Sequence, residues 1–515
     1  MAREIELKLT LPKRSLPALR RHPLIAGSES AGPAVTLENT YYDTAELQLK
    51  DSGIAIRTRR QGRRWLQTVK AAAASAGGLS SRPEWEQPYD IHQGFDFSLI
   101  DAAEIRKRLE RHADTLMPVF NTRFRRETRI YVPGAGKRIL IMIDSGTVSA
   151  SSRQEEISEL ELELAEGSPS DLLEFARLLA ADLPLLPEDA SKAERGYRLH
   201  LDQPRKPLRA GRSAIHRDMT PVEAFRCLAA DCMRQWQANA AGASQASKPE
   251  FIHQLRVSQR RLRSLIGLFA PALPEAFVQY WAATLKENAG RFGDARDLDV
   301  LEDELLHGVE AASPHEARQL GLLRDKASSE RAAARSRAAA ALDPAEQGRL
   351  LLHFNADLHA LPTNNLIGSV DLGAFAALQL ERLRKRARRR YIRARGLVPE
   401  DLHNLRIAFK RLRYGADFFA PLLPKKTITR YLAALAKLQN ALGFINDLDV
   451  ARQRFALWGE NDADLREAAA YVCGWHGKRY AKLSRRSVRK SAPLLVKASP
   501  WATLLPARPS SSSTQ

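Results

Sequence analysis

The chain has 515 residues, a formal net charge of +20 and a pI near 10. That length allows two or three domains with full cores, and so cationic a balance points to a polyanionic partner: nucleic acid, an anionic membrane surface or a phosphate polymer. Cys227, Cys232 and Cys473 make neither a disulfide framework nor a metal knuckle; the first residues are charged where a signal peptide is apolar, and no apolar run would span a bilayer, so the chain reads as soluble and cytoplasmic.

The positive excess is uneven. Residues 1–200 are nearly balanced, and 201–515 carry the surplus. The chain opens on Glu4-Ile-Glu6-Leu-Lys8, a strict charged/apolar alternation. As a strand it projects Glu4, Glu6 and Lys8 from one face and Ile5, Leu7 and Leu9 from the other. Alone, it would pass for a solvated edge strand. Later stretches repeat the pattern: Arg57-Thr-Arg59, Thr68-Val-Lys70, Arg82-Pro-Glu84-Trp-Glu86 and Glu159-Leu-Glu161-Leu-Glu163. Between them, Leu37 to Thr44 reads as a strand entering a turn, and an Ala/Ser/Gly loop covers Ala71 to Ser81. Thr122 to Val132 and Arg138 to Ile143 read as a hairpin around Pro133-Gly134-Ala135-Gly136, the second strand ending in Asp144-Ser-Gly146. Helices are expected at Ser15–Arg21, Asp101–Arg111 and Ser170–Ala181.

About eight such strands suggest an antiparallel barrel or tunnel that is polar inside. Several carboxylates sharing one cavity raise each other's pKa. A hard divalent cation with oxygen ligands, Mg²⁺ or Mn²⁺, relieves that. The rows of Arg and Lys then call for an anion, and phosphate oxygens suit both guanidinium and metal. A metal facing a basic clamp is the apparatus of phosphoryl transfer.

Together these motifs, with Tyr41-Tyr42-Asp43-Thr44, Asp144-x-Gly146 and Ser191-Lys192-x-x-Arg195-Gly196, resemble the CYTH family, the triphosphate tunnel metalloenzymes, over about residues 1–200. The resemblance implies a β-tunnel and metal-dependent hydrolysis of inorganic triphosphate to pyrophosphate and phosphate. It implies that Glu4, Glu6, Asp144, Glu159, Glu161 and Glu163 hold metal or activate water, with Glu4, Glu6, Lys8 and Glu161 catalytic. Arg57, Arg59, Lys70, Arg82, Arg126 and Lys192 would hold phosphates. Parity does not choose which two of Glu159, Glu161 and Glu163 touch metal. Arg126 is the favoured inward residue around Thr122–Glu127. Tyr42 reads equally as a phosphate contact or a packed ring.

Residues 203–218 form a basic, Pro-containing linker. From Thr220, an N-cap before Pro221, the pattern turns helical. Shifted by 150 residues, this half matches itself. His253-x-Leu255-Arg256-x4-Arg261-Leu262-Arg263 returns at His403, Leu405, Arg406 and Arg411 to Arg413. Phe269-Ala-Pro271 returns as Phe419-Ala-Pro421, and Asp297-Leu-Asp299-Val300 as Asp447-Leu-Asp449-Val450. At ~100° per residue, His253, Arg256, Arg260 and Arg263 share a narrow arc opposite Leu255, Leu262 and Phe269. His403, Arg406, Lys410 and Arg413 do the same in the second copy. A single basic face is usually just solvated; two copies in a cationic segment favour a polyanion site. The histidines lack a second ligand at i+3 or i+4 for a metal, and the four aspartates read as helix caps or arginine partners.

This half resembles the CHAD domain over about residues 216–497, which implies binding of inorganic polyphosphate. Few aromatics interleave with the stripes, so nucleic acid is disfavoured. The expected fold is α+β and multidomain: an N-terminal antiparallel β-barrel tunnel with flanking helices (1–202) and a C-terminal all-α domain of two duplicated bundles (219–497, repeats about 219–345 and 369–497). A tail, disordered at its end, follows at 498–515. The functional expectation is a cytoplasmic inorganic triphosphatase, with polyphosphate granules as a place of association. Its rivals are a weakly catalytic polyphosphate-binding protein and a thiamine triphosphatase or adenylate cyclase-like enzyme.

Overall fold

The computed structural model describes residues 3–71, 75–211, 214–245, 249–362 and 371–504. The expected disordered end, from Arg508, lies outside the described residues. The chain divides into two compact units. The first comprises residues 1–209, 233–255 and 342–360; the second comprises 210–232, 256–341 and 361–515.

In the first unit eight strands close on themselves: β1 (Arg3–Thr10), β2 (Val35–Asp43), β3 (Ile54–Gln61), β4 (Arg64–Ala71), β5 (Leu79–Pro88), β6 (Met117–Gly134), β7 (Lys137–Ala150) and β8 (Arg153–Glu166). Around the barrel the order is β1-β8-β7-β6-β2-β3-β4-β5, and β5 pairs back with β1. All these pairings are antiparallel, so no edge of the ring is left unpaired. β7 does not stop near Asp144. Its pairing with β6 and β8 carries it to Ala150.

Strand alternation sorts the side chains. Leu7, Leu9, Ile139, Ile141, Leu160 and Leu162 point outward and are buried under helix α2 (Pro169–Asp182). Ile54, Ile56 and Val69 pack with Phe97 and with Leu109 of α1 (Ala103–His112). Tyr42 belongs to this packing, edge-on to Phe95 with centroids 5.0 Å apart; of its two expected places, it takes the packed one. The charged members of each alternation face inward. The barrel is thus turned inside out, with its apolar face outside and covered by helices.

Helix α3 (Lys192–His200) lies against the inner sides of β6, β7 and β8. It starts on a capping box formed by Ser191 and Glu194. Its close approach depends on Gly196: an added Cβ would lie 2.1 Å from two Phe120 ring carbons. Tyr197 packs on Phe120 and donates to Asp43 at 2.8 Å. Asp43 also accepts the amides of Thr44, Leu49 and Lys50, which accounts for the acid at the end of β2.

The helical half is not confined to the second unit. Part of α4 (Pro221–Gln245), the start of α5 (Pro249–Phe269) and α9 (Pro344–Ala360) fall in the first. α9 packs along α2, and Leu352 joins the core beneath it.

The second unit holds α6 (Glu275–Gly290), α7 (Gly293–Val300), α8 (Ala317–Ala340), α10 (Leu372–Ala394), α11 (Pro399–Phe418), α12 (Lys425–Trp458) and α13 (Ala463–Val496). Thr220 and Glu223 form the expected cap of α4, with Glu223 N donating to Thr220 Oγ1 at 3.2 Å. The repeated motifs take matching elements. Both basic helices end in 3₁₀ turns, Ala270–Ala272 and Ala420–Leu422, and the equivalent rings Phe269 and Phe419 meet at 5.4 Å. The copies differ afterwards: α12 is continuous, whereas the first copy breaks between α6 and α7 and passes through a π-helical stretch at Leu301–Leu306. The repeated aspartates sit inside α7 and α12, so they cap nothing. Asp299 instead pairs with Arg331 and Arg335 at 2.8 and 2.7 Å, and Asp449 with Arg452 at 3.2 Å. Part of the expected tail is packed: Trp501 is fully buried and donates to Glu381 at 3.3 Å.

Candidate active site

The barrel encloses a cavity of ≈ 1100 Å³. Glu4, Glu6 and Lys8 of β1 line it, as do Arg57 and Arg59 of β3, Lys70 of β4, Arg82 of β5, Arg126 of β6, Glu161 and Glu163 of β8, and Lys192 of α3. Their convergence follows from register. Glu6 lies opposite Glu163 and Lys8 opposite Glu161; Glu159 faces Asp144, which faces Arg126.

Two charge clusters share this space. In the deeper one, Asp144, Glu159 and Glu161 offer oxygens within 4.8 Å of one another. The Lys192 ammonium sits among them, 2.8 Å from Asp144, 2.6 Å from Glu159 and 2.8 Å from Glu161. Arg126 forks onto Asp144 at 2.7 and 2.6 Å and reaches Glu161 at 2.5 Å. Arg195 bonds Glu159 and, at 2.8 Å, Glu155. Burial works against the charge of Glu161, but Lys192, Arg126 and Lys8 hold its pKa well below the carboxylate range. Burial likewise opposes the Lys192 charge, and the three carboxylates outweigh it and raise its pKa.

The second cluster is short of cations. Lys70 contacts Glu84 at 2.6 Å and Glu4 at 3.2 Å, and Arg82 bonds Glu6 and lies 3.8 Å from Glu4. Burial, the shared hydrogen bond with Glu84 and the charges of Glu84 and Glu6 push the pKa of Glu4 up to about 8, against the pull of Lys70. Glu84, its partner, is held low despite burial by that bond and by Lys70 and Arg57. Glu163 is also raised, by burial and by Glu84 and Glu6. Arg57 bonds the Tyr41 hydroxyl at 3.2 Å, and Arg59 donates to Asn39 at 2.9 Å. Lys8 donates to the Ala190 carbonyl at 2.5 Å.

The expectation that the carboxylates need a metal to stay ionised is therefore too simple. Asp144, Glu159 and Glu161 are matched one for one by Lys192, Arg126 and Arg195. Asp144 and Glu159 have no exposed surface and meet the cavity through Lys192. The donor set, carboxylate oxygens only, does fit a hard divalent cation. Glu4, Glu6 and Glu163 line the open space of the cavity, and at Glu4 and Glu163, whose pKa values are raised, such an ion would replace a retained proton.

Sequence reasoning left Glu84, Glu86, Tyr41 and Arg195 out of the site. Three of them were readable. Glu84 and Glu86 share a face with Arg82, and Arg195 is one helical turn from Lys192. Tyr41 needed the register of β2, which no local pattern supplies.

In the second unit the cationic residues of the two repeats come together. Arg260 donates to Tyr414 at 3.0 Å. Burial and the charges of Arg260, Arg406, Arg256 and Arg413 push the Lys410 pKa down to about 6. Arg256 donates to the Gly293 carbonyl at 3.2 Å and Arg413 to Gln439 at 2.5 Å. Arg263 is half-buried on the same helix. His403 is exposed, its Nδ1 2.6 Å from Asn446; His253, half-buried, falls in the first unit. Arg261, outside the stripe, is a packing residue: it pairs with Asp417 at 2.8 Å and covers Phe418.

A closed antiparallel tunnel lined by facing acids and bases, followed by a helical region, defines the class. The family models agree with it. The family model described as CYTH domain matches residues 2–197, and that described as CHAD domain matches residues 227–456. The chain carries a CYTH domain followed by a CHAD domain. An inorganic triphosphatase of Haemophilus influenzae is 30% identical over 202 residues, 39% of this chain and 55% of that protein; the match thus spans about half of that relative's length. The CHAD domain of the plant Ricinus communis is similar at 28% identity and a TM-score of 0.49, covering 58% of this chain and 99% of that one. A Hippeastrum protein described as a candidate adenylyl cyclase with a dominant triphosphatase activity is similar at 20% identity and a TM-score of 0.30, covering 39% of this chain and 97% of that one. Among the described residues, no helix is long and apolar enough to cross a membrane.

Proposed function

We propose that the protein is a divalent-metal-dependent inorganic triphosphatase whose helical half binds inorganic polyphosphate. The observation that carries the first part is the arrangement of carboxylates and cations in one cavity, with their charges nearly cancelled. A multiply charged anion entering a neutral cavity brings uncompensated negative charge, and a divalent cation offsets it. Arg57, Arg59, Lys70, Arg82 and Arg126 take phosphate oxygens in place of their carboxylate partners. The carboxylates so released, Glu4, Glu6 and Glu161, together with Glu163 and with Asp144 and Glu159 behind them, are the ones that would hold Mg²⁺ or Mn²⁺. When bound, the ion neutralises charge on the phosphates and lowers the pKa of water.

The reaction is attack of water on a terminal phosphorus. A carboxylate such as Glu6 or Glu161 accepts the water proton, the bond to the bridging oxygen breaks, and pyrophosphate leaves with that electron pair. Lys8 and Lys192 lie beside the reacting end and stabilise the charge that develops there.

The second part is supported by Arg256, Arg260, Arg406, Lys410 and Arg413, drawn from both repeats and crowded enough to depress a lysine pKa. A polyanion would relieve that repulsion, with Arg263 and His403 flanking it; for His253, in the first unit, a polyphosphate contact remains the sequence-based expectation. Such a protein would sit in the cytoplasm, with polyphosphate granules as one place of residence.

The test is phosphate release from triphosphate, pyrophosphate, ATP and thiamine triphosphate, with EDTA, Mg²⁺ or Mn²⁺. Triphosphate should be cleaved fastest, and only with metal. Faster cleavage of an organic triphosphate would replace the substrate. No release from any of them would leave the polyphosphate-binding reading alone.

A further inference from the structure

One mouth of the cavity is built by residues that belong in sequence to the helical half. Arg234, Gln237 and Ala238 of α4 line the same cavity as Glu4 and Lys8, beside Arg205 and Lys206 of the connecting segment. All of them lie in the first compact unit. They are held firmly. Arg234 Nε donates to the Ser75 carbonyl at 3.0 Å. Asn239 accepts from Leu208 N at 3.1 Å and donates to its carbonyl at 2.9 Å, fixing the connection to α4. Trp236 donates to Gln347 of α9 at 3.0 Å. At Gly77 (φ +64°), an added Cβ would lie 2.8 Å from Asn355 and 3.0 Å from Met233, so the turn between β4 and β5 is pressed against both helices.

Gln237 is the informative residue. It is 1% exposed, lines the cavity, and its Oε1 has no hydrogen-bond partner among the described residues. Leaving a buried amide end unpartnered is costly, and an amide flip would turn that end from acceptor to donor. The cations nearby are partly spoken for: Arg205 pairs with Glu188 at 2.9 Å, and Arg234 acts on the buried Asp189. Lys206, exposed, has no carboxylate within ion-pair distance among the described residues.

We infer that this mouth is a distal phosphate subsite, and that the protein accepts linear phosphate chains longer than three. The inference rests on the triphosphatase reading. A triphosphate held by Arg57, Arg59, Arg82 and Arg126 leaves the mouth unfilled. The cavity exceeds the ~300–1000 Å³ that suffices for drug-sized ligands, which are larger than three phosphoryl groups. A fourth and later phosphate meets Lys206, Arg234 and the Gln237 amide as a donor on its way out over α4.

The experiment uses the full chain with Mg²⁺ and compares KM for tetraphosphate, triphosphate and ATP in wild type, Lys206→Ala and Gln237→Leu. Lys206 is exposed, so its variant keeps the assay interpretable if Gln237→Leu folds poorly. The ratio of KM for tetraphosphate to KM for triphosphate should rise about three- to tenfold in Lys206→Ala, the loss of one charge-assisted contact. An unchanged ratio, a rise for ATP alone, or a wild type that cleaves triphosphate but not tetraphosphate overturns the subsite. If wild type cleaves neither, the triphosphatase reading fails by itself. The subsite is then judged from the same ratio of Kd values by calorimetry, a ratio unchanged in Lys206→Ala sinking it and a raised one supporting it.

Discussion

Replacing Lys192 by Met tests the electrostatic account at its centre. The ammonium is 7% exposed and contacts three carboxylates at 2.6–2.8 Å. Without it, Asp144, Glu159 and Glu161 share only Arg126 and Arg195, which leaves one buried negative charge unmatched. Breaking a buried pair in this way costs about 3–5 kcal/mol. For a unit of this size, at about 2–4 °C per kcal/mol, the metal-free midpoint should fall by about 6–20 °C. Two treatments should restore it. Mg²⁺ supplies the missing positive charge and stabilises by mass action. Acid does so because burial and like charges raise the pKa of one carboxyl in the variant, so the deficit shrinks as pH falls from 8 towards 5. Scanning calorimetry of wild type and variant in EDTA and in Mg²⁺, at both pH values, reads all three effects. A variant whose midpoint in EDTA stays within about 2 °C of wild type would falsify the assignment of Lys192 as the internal counter-ion.

Glu6→Gln and Glu161→Gln should lower phosphate release from triphosphate by about a hundredfold or more while polyphosphate binding by calorimetry is retained; parallel loss of both would mean misfolding or a shared site. The raised pKa of Glu4, about 8, means that the folded protein keeps a proton the unfolded chain gives up above the ordinary value of 4.5. Stability is thus present below that value and lost as pH rises towards 8. Metal-free protein should lose thermal stability across this window, and Glu4→Gln should flatten the loss; an equal slope in the variant refutes the idea. Lys410, with its pKa near 6, should regain a proton when polyphosphate binds. Affinity should then weaken as pH rises from 6 to 9, with proton uptake measurable by calorimetry in buffers of different ionisation heat. Lys410→Met should abolish the uptake, and uptake that persists points to another group.

Much of the site was legible because strand alternation is a local rule. Glu4, Glu6 and Lys8 must share a face once β1 is a strand, and so must Glu159, Glu161 and Glu163. The outward leucines of the same strands say which face is the core. The repeat at a spacing of 150 residues was legible for the same reason, since it needs only the chain compared with itself. What alternation leaves open is which row meets which. Register alone put Glu159 opposite Asp144 and Asp144 opposite Arg126, and only the docking of α3 brought Lys192 among the acids. Those are contacts between residues far apart in the chain, and their identity follows from closure of the ring and from the space that Gly196 leaves beside Phe120. The place of α4 and α9 in the first unit was out of reach of any motif. Ending the chain at residue 202 would strip Leu352 from beneath α2 and Arg234 and Gln237 from the cavity mouth. The sequence by itself determined the inner and outer faces of each strand and the charge they carry, because those depend on the period of the backbone. Tertiary structure decided which charges neutralise one another, because that depends on distances of a few ångströms between elements whose relative height and tilt are set by packing.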